Sequence, residues 1–289
     1  MNLCLGTVQF GMDYGIQGQG KPSKDEVFTI LDYAYRHGIK CLDSASGYGE
    51  AQTLIGEYFQ NRNDRFQIIS KLPYNVFDHV DQRDYKKYAE KTLNDSLLSL
   101  RLNQVQGLLF HNASYLYDEY AMEALHALKD MGLTAKIGVS VYSPEDGEYA
   151  IRRGLDIIQI PCNIFDRRFD ELLNEENTNQ DIYVRSIFLQ GLLLMDVEKV
   201  GKKLPIAEKE ILKLQKLCEQ YHFTRREVAM NYIKNKKGIH SVIFGVDNMA
   251  QLNENLKAFY QDIDPVIINT IACEFGDIKE EVVSPLKWR

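Results

Sequence analysis

Four polar residues sit at or just past the ends of short apolar runs: Asp43 closes "KCLD", Tyr48 follows in the next loop, Lys71 closes "FQIISK", and His111 follows "VQGLLF". Taken singly, each has an ordinary role: a loop tie, a snorkelling cation, a bonded core imidazole, a packing ring with a wet tip. If the runs are neighbouring strands, a carboxylate, a phenol, an ammonium and an imidazole meet at one rim. That set suits the protonation of an oxygen. A phenol, with a reference pKa of about 10, gives up its proton too reluctantly at neutral pH, and a neighbouring ammonium stabilises the phenolate. A buried lysine tends to lose its own proton, so a carboxylate must pair with it. On this reading Asp43 keeps Lys71 charged, Lys71 lowers the pKa of Tyr48, and His111 shares a hydrogen bond at a carbonyl oxygen, worth up to a few kcal/mol. The chemistry is carbonyl reduction. No side chain is a hydride source, so a nicotinamide cofactor is implied.

These residues converge only if the chain alternates strands and helices around a parallel sheet, and the punctuation says that it does. Short runs beginning at Leu3, Lys40, Phe66, Val105, Ala135, Asp156, Ile182 and Ser241 alternate with longer segments of helical period. "SKDEVFTILDYAYRHG" has Ser23 as N-cap with Glu26 three residues on, apolar Val27, Ile30, Leu31 and Ala34, and Gly38 as a stop. "DYKKYAEKTLNDSLLSLRL", "YAMEALHALKDMG" and "MAQLNENLKAFY" repeat the spacing. The expected fold class is α/β, a closed (β/α)8 TIM barrel forming a single domain over residues 1–289, with its chemistry at the C-terminal ends of the strands. The glycine-rich "GIQGQG" (Gly15 to Gly20) does not open a helix, so it reads as a flexible loop after the first strand rather than a dinucleotide fingerprint.

Composition excludes several classes. At 45% hydrophobic and 26% charged residues, the chain falls in the globular range. A formal charge of −7 carries no basic footprint, so no nucleic-acid partner is expected. No apolar run reaches the roughly 18 residues of a membrane span, and the first residues lack a secretory pattern. Five scattered cysteines, without a C-x-x-C pair, read as reduced thiols in a cytoplasm and leave no metal site. The expected partner is a small-molecule carbonyl substrate; oligomeric state is not legible.

Over essentially its whole length the chain resembles the aldo-keto reductase family. The resemblance rests on "LGTVQFG", "DSASGYGEAQTLIG", "SKLP", "LLFH", "IGVS", "IIQIPCN" and "VIFGVDNMAQLNENLKA". It implies that Asp43, Tyr48, Lys71 and His111 form the catalytic tetrad and that NADPH, or less often NADH, lies extended across the barrel mouth. It further implies that Ser140 and Gln159 hold the carboxamide and that Thr7 makes the first-strand contact. Arg185 takes the place of an aromatic residue stacked on nicotinamide, and Gly245, Val246, Gln251 and Asn255 hold the adenosine end. A plugging N-terminal β-hairpin is expected to be absent or replaced. The short bacterial members most resembled often accompany sugar or surface-polysaccharide metabolism, which implies a sugar-derived carbonyl.

The chain departs from the family pattern in three places. Val141 follows the serine of "GVS" where many members have Asn; Arg185 is not aromatic, although a guanidinium plane also stacks; and Asn248 and Gln251 occupy the stretch where members that prefer NADPH often place an arginine, with Asp247 adding a negative charge that would repel a 2′-phosphate. The segment "LLLMDVEKVGKKLP" is expected as a loop near the mouth, with Tyr14, Tyr74, Asn112, Tyr115, Phe165, Arg167 and Arg168 shaping selectivity. Two other functions remain open: a non-catalytic nicotinamide-binding regulatory subunit, and a barrel lyase using Lys71 as a Schiff-base nucleophile.

Overall fold

Eight parallel strands close on themselves in chain order in the computed structural model, which describes residues 1–18, 20–60, 62, 65–174 and 179–288. The strands are β1 (Asn2–Gly6), β2 (Cys41–Asp43), β3 (Gln67–Lys71), β4 (Val105–Phe110), β5 (Thr134–Ser140), β6 (Ile157–Pro161), β7 (Asp181–Arg185) and β8 (Ile239–Gly245). β8 returns to β1 with Gly6 beside Gly245, which completes the (β/α)8 barrel expected from the sequence. Each expected run lies on a strand, with ends differing by at most two residues.

The helices of the first half are α1 (Val8–Gly11), α2 (Lys24–Arg36), α3 (Ala51–Phe59), α4 (Tyr85–Leu100), α5 (Glu119–Asp130), α6 (Pro144–Arg152) and α7 (Asp170–Asn174). Those of the second half are α8 (Val197–Lys203), α9 (Glu208–Gln220), α10 (Arg225–Lys234), α11 (Met249–Tyr260), α12 (Pro265–Cys273) and α13 (Glu280–Val283). α2 shows why such segments form: Ser23 accepts the amide of Glu26, and Val27, Ile30, Leu31 and Ala34 are all buried against the barrel. The full reciprocal box is formed at α10 instead, between Thr224 and Glu227.

The barrel interior explains where the site must lie. Cys4, Cys41, Ile69, Leu109, Ile157, Tyr183 and Ile243 make one inward-facing apolar layer. Side chains along a strand alternate faces, so the residue two further along points inward again. Those positions are Gly6, Asp43, Lys71, His111, Gln159, Arg185 and Gly245. Ser140 joins them, being paired with Gln159 and two residues past Gly138, where a Cβ would run into Leu109 and Ile157. The next layer toward the C-terminal rim is thus a ring of polar side chains and two glycines.

The segment after β7 is not the expected loop. Leu189–Leu194 form a 3-10 turn and Val197–Lys203 form α8, because Leu189, Leu192, Leu193, Met195 and Val200 all find buried positions. The loop after β1 is tied rather than loose: Ile16 donates its amide to the Gln190 carbonyl at 3.1 Å, and Lys203 Nζ donates to the Ile16 carbonyl at 2.8 Å. Gln19, within the glycine-rich stretch, lies outside the described residues, as does Arg289 at the end of the expected domain.

Candidate functional site

At the rim, Lys71 Nζ donates to both carboxylate oxygens of Asp43 at 2.7 Å, to the Ser44 carbonyl at 3.1 Å, and to Tyr48 Oη at 3.4 Å. Lys71 and Asp43 are buried, so this ion pair is screened little by solvent. Burial, the largest single influence, pushes the Lys71 ammonium toward losing its proton, but the Asp43 carboxylate and the Tyr48 oxygen together outweigh it and hold the pKa above the ordinary lysine value. Asp43 is itself fixed from behind, since the Thr7 amide and hydroxyl both donate to its main-chain carbonyl at 2.9 and 3.0 Å.

Tyr48 lies on the loop between β2 and α3, and two glycines place it. A Cβ on Gly11 would collide with the Tyr48 carbonyl, and Gly49, at φ 53°, lies against the Gly11 carbonyl. The phenol does not behave as the sequence suggested. Burial raises its pKa above the usual value and outweighs the opposing pull of the Lys71 charge. The ring of His111 stands 6.1 Å from that of Tyr48 in an edge-on arrangement, with Tyr74 on another side at 5.9 Å. Burial first, then the charges of Lys71 and Arg185, lower the imidazole pKa to about 3, so His111 is neutral.

From this centre a cleft of about 450 Å³ runs along the mouth toward the start of α11. Asp43, Tyr48, Thr7, Gln159 and Arg185 line one end; Gly245, Asp247, Gln251 and Asn255 line the other. Gln159 Nε2 donates to Asp43 Oδ1 at 2.7 Å. Ser140 Oγ accepts from Arg185 Nε at 3.3 Å, so both expected carboxamide contacts already have protein partners. Arg185 further donates to the Val141 carbonyl at 3.1 Å and lies 4.2 Å over the Tyr142 ring. Gln251 Nε2 donates to Asp247 Oδ2 at 3.0 Å, Asn255 accepts from Arg226, and Val246 is buried away from the cleft wall.

An elongated dinucleotide fits this cleft on two structural grounds. Gln9 Oε1 is buried with no partner beside Gly245, where any side chain would collide with the Gln9 amide. The cleft also ends at the N-terminus of α11, whose amides favour an anionic oxygen. Thr7, Gln159, Gly245, Gln251 and Asn255 are among the residues that line the cleft.

Several expected selectivity residues lie elsewhere. Arg167 bonds Asp170 and the Ala272 carbonyl, and Arg168 bonds Asp166 and the Tyr142 carbonyl, so the charge of each guanidinium is already paired with a carboxylate. Tyr115 is buried with its hydroxyl against the Phe77 amide, Phe165 packs on Phe275, and Asn112 caps a 3-10 turn. Tyr14 and Tyr74 remain at the mouth. Sequence reasoning missed Gln9, Gln190 and Arg226, whose roles depend on contacts between distant loops.

The sequence matches the Aldo/keto reductase family over residues 2–272. Among its relatives are an uncharacterized oxidoreductase, YqkF, of Bacillus subtilis, 26% identical over 81% of this chain and 82% of that one, and the NADH-specific methylglyoxal reductase of Escherichia coli, 24% identical over 84% and 86%. Two further relatives match over 146 residues, only 36% and 37% of their own length. The structure superposes on an aldo-keto reductase, AKR11C1, of Bacillus halodurans with a TM-score of 0.78 over 98% of this chain and 95% of that one, at 19% identity. No helix among the described residues is long and apolar enough to cross a membrane. The chain belongs to the aldo/keto reductase family and is an NAD(P)-dependent oxidoreductase.

Proposed function

We propose that this chain reduces an aldehyde or ketone to an alcohol, with Tyr48 as general acid and Lys71, Asp43 and His111 as its supporting groups. The observation that carries the reading is the contact of Lys71 Nζ with Tyr48 Oη at 3.4 Å while Asp43 holds the ammonium at 2.7 Å. Bound nicotinamide supplies the hydride. Tyr48 delivers its proton to the carbonyl oxygen, and the adjacent ammonium stabilises the phenolate left behind. Neutral His111 turns an N–H toward that oxygen and orients it. The same groups serve alcohol oxidation in reverse.

The held ammonium also argues against the Schiff-base lyase, which needs a neutral amine at Lys71. The regulatory-subunit reading predicts cofactor binding without turnover. The adenosine end supports NADH over the NADPH favoured by the sequence reading. Its cation, Arg226, is paired with Glu254 at 2.8 Å, and Asp247 would face a 2′-phosphate. The E. coli relative's name, NADH-specific methylglyoxal reductase, agrees with that preference.

The test is fluorescence titration of wild type and Tyr48→Phe with NADH and NADPH, followed by a panel of aldehydes and keto sugars. The expected result is equal cofactor binding by both proteins and turnover by wild type alone. Equal turnover by Tyr48→Phe, or no binding of either nucleotide, would reject the assignment.

A further inference from the structure

The ring of inward-facing strand-end residues has an unbalanced charge. Its members that ionise are Asp43, Lys71, His111 and Arg185. Asp43 and Lys71 neutralise one another at 2.7 Å, and His111, with a pKa of about 3, is neutral. Arg185 remains. Among the described residues no carboxylate lies within ion-pair distance of it, and its partners are the Ser140 and Ser186 hydroxyls and the Val141 carbonyl, at 3.3, 3.4 and 3.1 Å. A guanidinium offers five N–H donors, so those three bonds leave two uncommitted. One face of the group lies on the Tyr142 ring, and Arg185 lines the cleft beside Tyr48.

A second donor stands at the same end of the cleft. Tyr14 is attached to the loop that crosses the mouth, and its hydroxyl accepts the amide of Gln190 at 3.0 Å, which leaves its own proton without a partner. A phenol, with a reference pKa of about 10, keeps its proton at neutral pH, so the hydroxyl remains a donor throughout the working range. Gln190 lies on the turn after β7, at φ 51° next to Gly191 at φ 91°.

We propose that Arg185, assisted by the Tyr14 hydroxyl, is the substrate's anion seat, and that the physiological carbonyl compound carries a carboxylate. The proposal rests on the carbonyl-reduction reading and adds the substrate's charge to it. One uncompensated cation in a partly buried cleft matches a single negative charge, and the planar fork of a guanidinium fits a carboxylate edge. The other cation lining the cleft, Arg226, is spent on Glu254.

The experiment compares acids with their methyl esters: glyoxylate, succinate semialdehyde and 4-carboxybenzaldehyde, each against its ester, with wild type, Arg185→Gln, Arg185→Lys and Tyr14→Phe. The readout is the acid-to-ester ratio of kcat/KM, which cancels any loss of cofactor binding that falls on both substrates. Dinucleotide Kd is measured in parallel. The expected result is a preference for at least one acid of tenfold or more in wild type. It falls to near unity in Arg185→Gln, is partly kept in Arg185→Lys, and shrinks severalfold in Tyr14→Phe. Esters turned over as well as or better than acids in every pair would overturn the anion seat and leave the reductase reading standing. So would a ratio unchanged in Arg185→Gln while dinucleotide binding weakens, since the cation would then serve the cofactor. No turnover of any of the six compounds by wild type would count against the reductase reading itself and remove the seat with it.

Discussion

Gln159 on β6 reaches across the barrel mouth to donate its amide to Asp43 on β2 at 2.7 Å, onto the carboxylate that Lys71 also holds. Attraction within such a buried ion pair and the cost of removing it from water nearly cancel, so the large penalty falls on a variant that leaves one partner alone. Lys71→Met is expected to lower the unfolding free energy by about 3–5 kcal/mol. The Lys71→Met, Asp43→Leu double variant should recover much of that loss, and urea unfolding of the pair decides. A double variant as unstable as the single one would mean that the carboxylate is not the source of the penalty.

Acidity offers a separate check. Burial holds the Tyr48 phenol above its ordinary pKa, so the acid form persists as pH rises, and His111 gains a proton only near pH 3. For reduction, kcat/KM is therefore expected to stay flat from about pH 5 to about pH 9 and to fall only on the alkaline side, where the phenol ionises. An acidic limb near pH 6.5 that vanishes in His111→Gln would show instead that a charged imidazole takes part.

Removing the phenolic oxygen keeps the ring and its edge-on contact with His111. Tyr48→Phe is accordingly expected to lower kcat by about 10²- to 10⁴-fold, the range of a positioned proton donor, with little change in thermal stability. A matching loss of Tm would point to misplacement of the loop rather than a missing proton.

Asp247 stands at the adenosine end, with Gln251 as its hydrogen-bond partner at 3.0 Å. Asp247→Ser removes a negative charge from the region where a 2′-phosphate would sit, and should shift the NADPH-to-NADH affinity ratio by roughly tenfold toward NADPH. Titration of both nucleotides measures it; an unchanged ratio would place the discriminating contact elsewhere.

The parts legible from sequence were those governed by period and position. A polar residue two places past an inward apolar one on a parallel strand must face the barrel mouth, and Asp43, Lys71 and His111 all satisfy that rule. What escaped depends on contacts between segments far apart in the chain. Arg167 and Arg168 looked like rim cations, yet acids two or three residues away claim them. Arg226 and Gln190 enter the cleft from α10 and from the turn after β7, with no local pattern to mark them. The sign of the Tyr48 shift also escaped, because the depth of burial competes with the Lys71 charge and is not written in the local sequence.

The backbone contact between Gly11 and Gly49 has a practical bearing on mutational scans of this chain. Neither residue has a side chain to act on a substrate, yet a methyl group at Gly11 would press on the carbonyl of Tyr48 itself. Substitutions there should score like active-site losses while the phenol, the ammonium and the carboxylate all remain. A reader ranking positions by sensitivity would then mark as chemical two sites whose whole contribution is empty space.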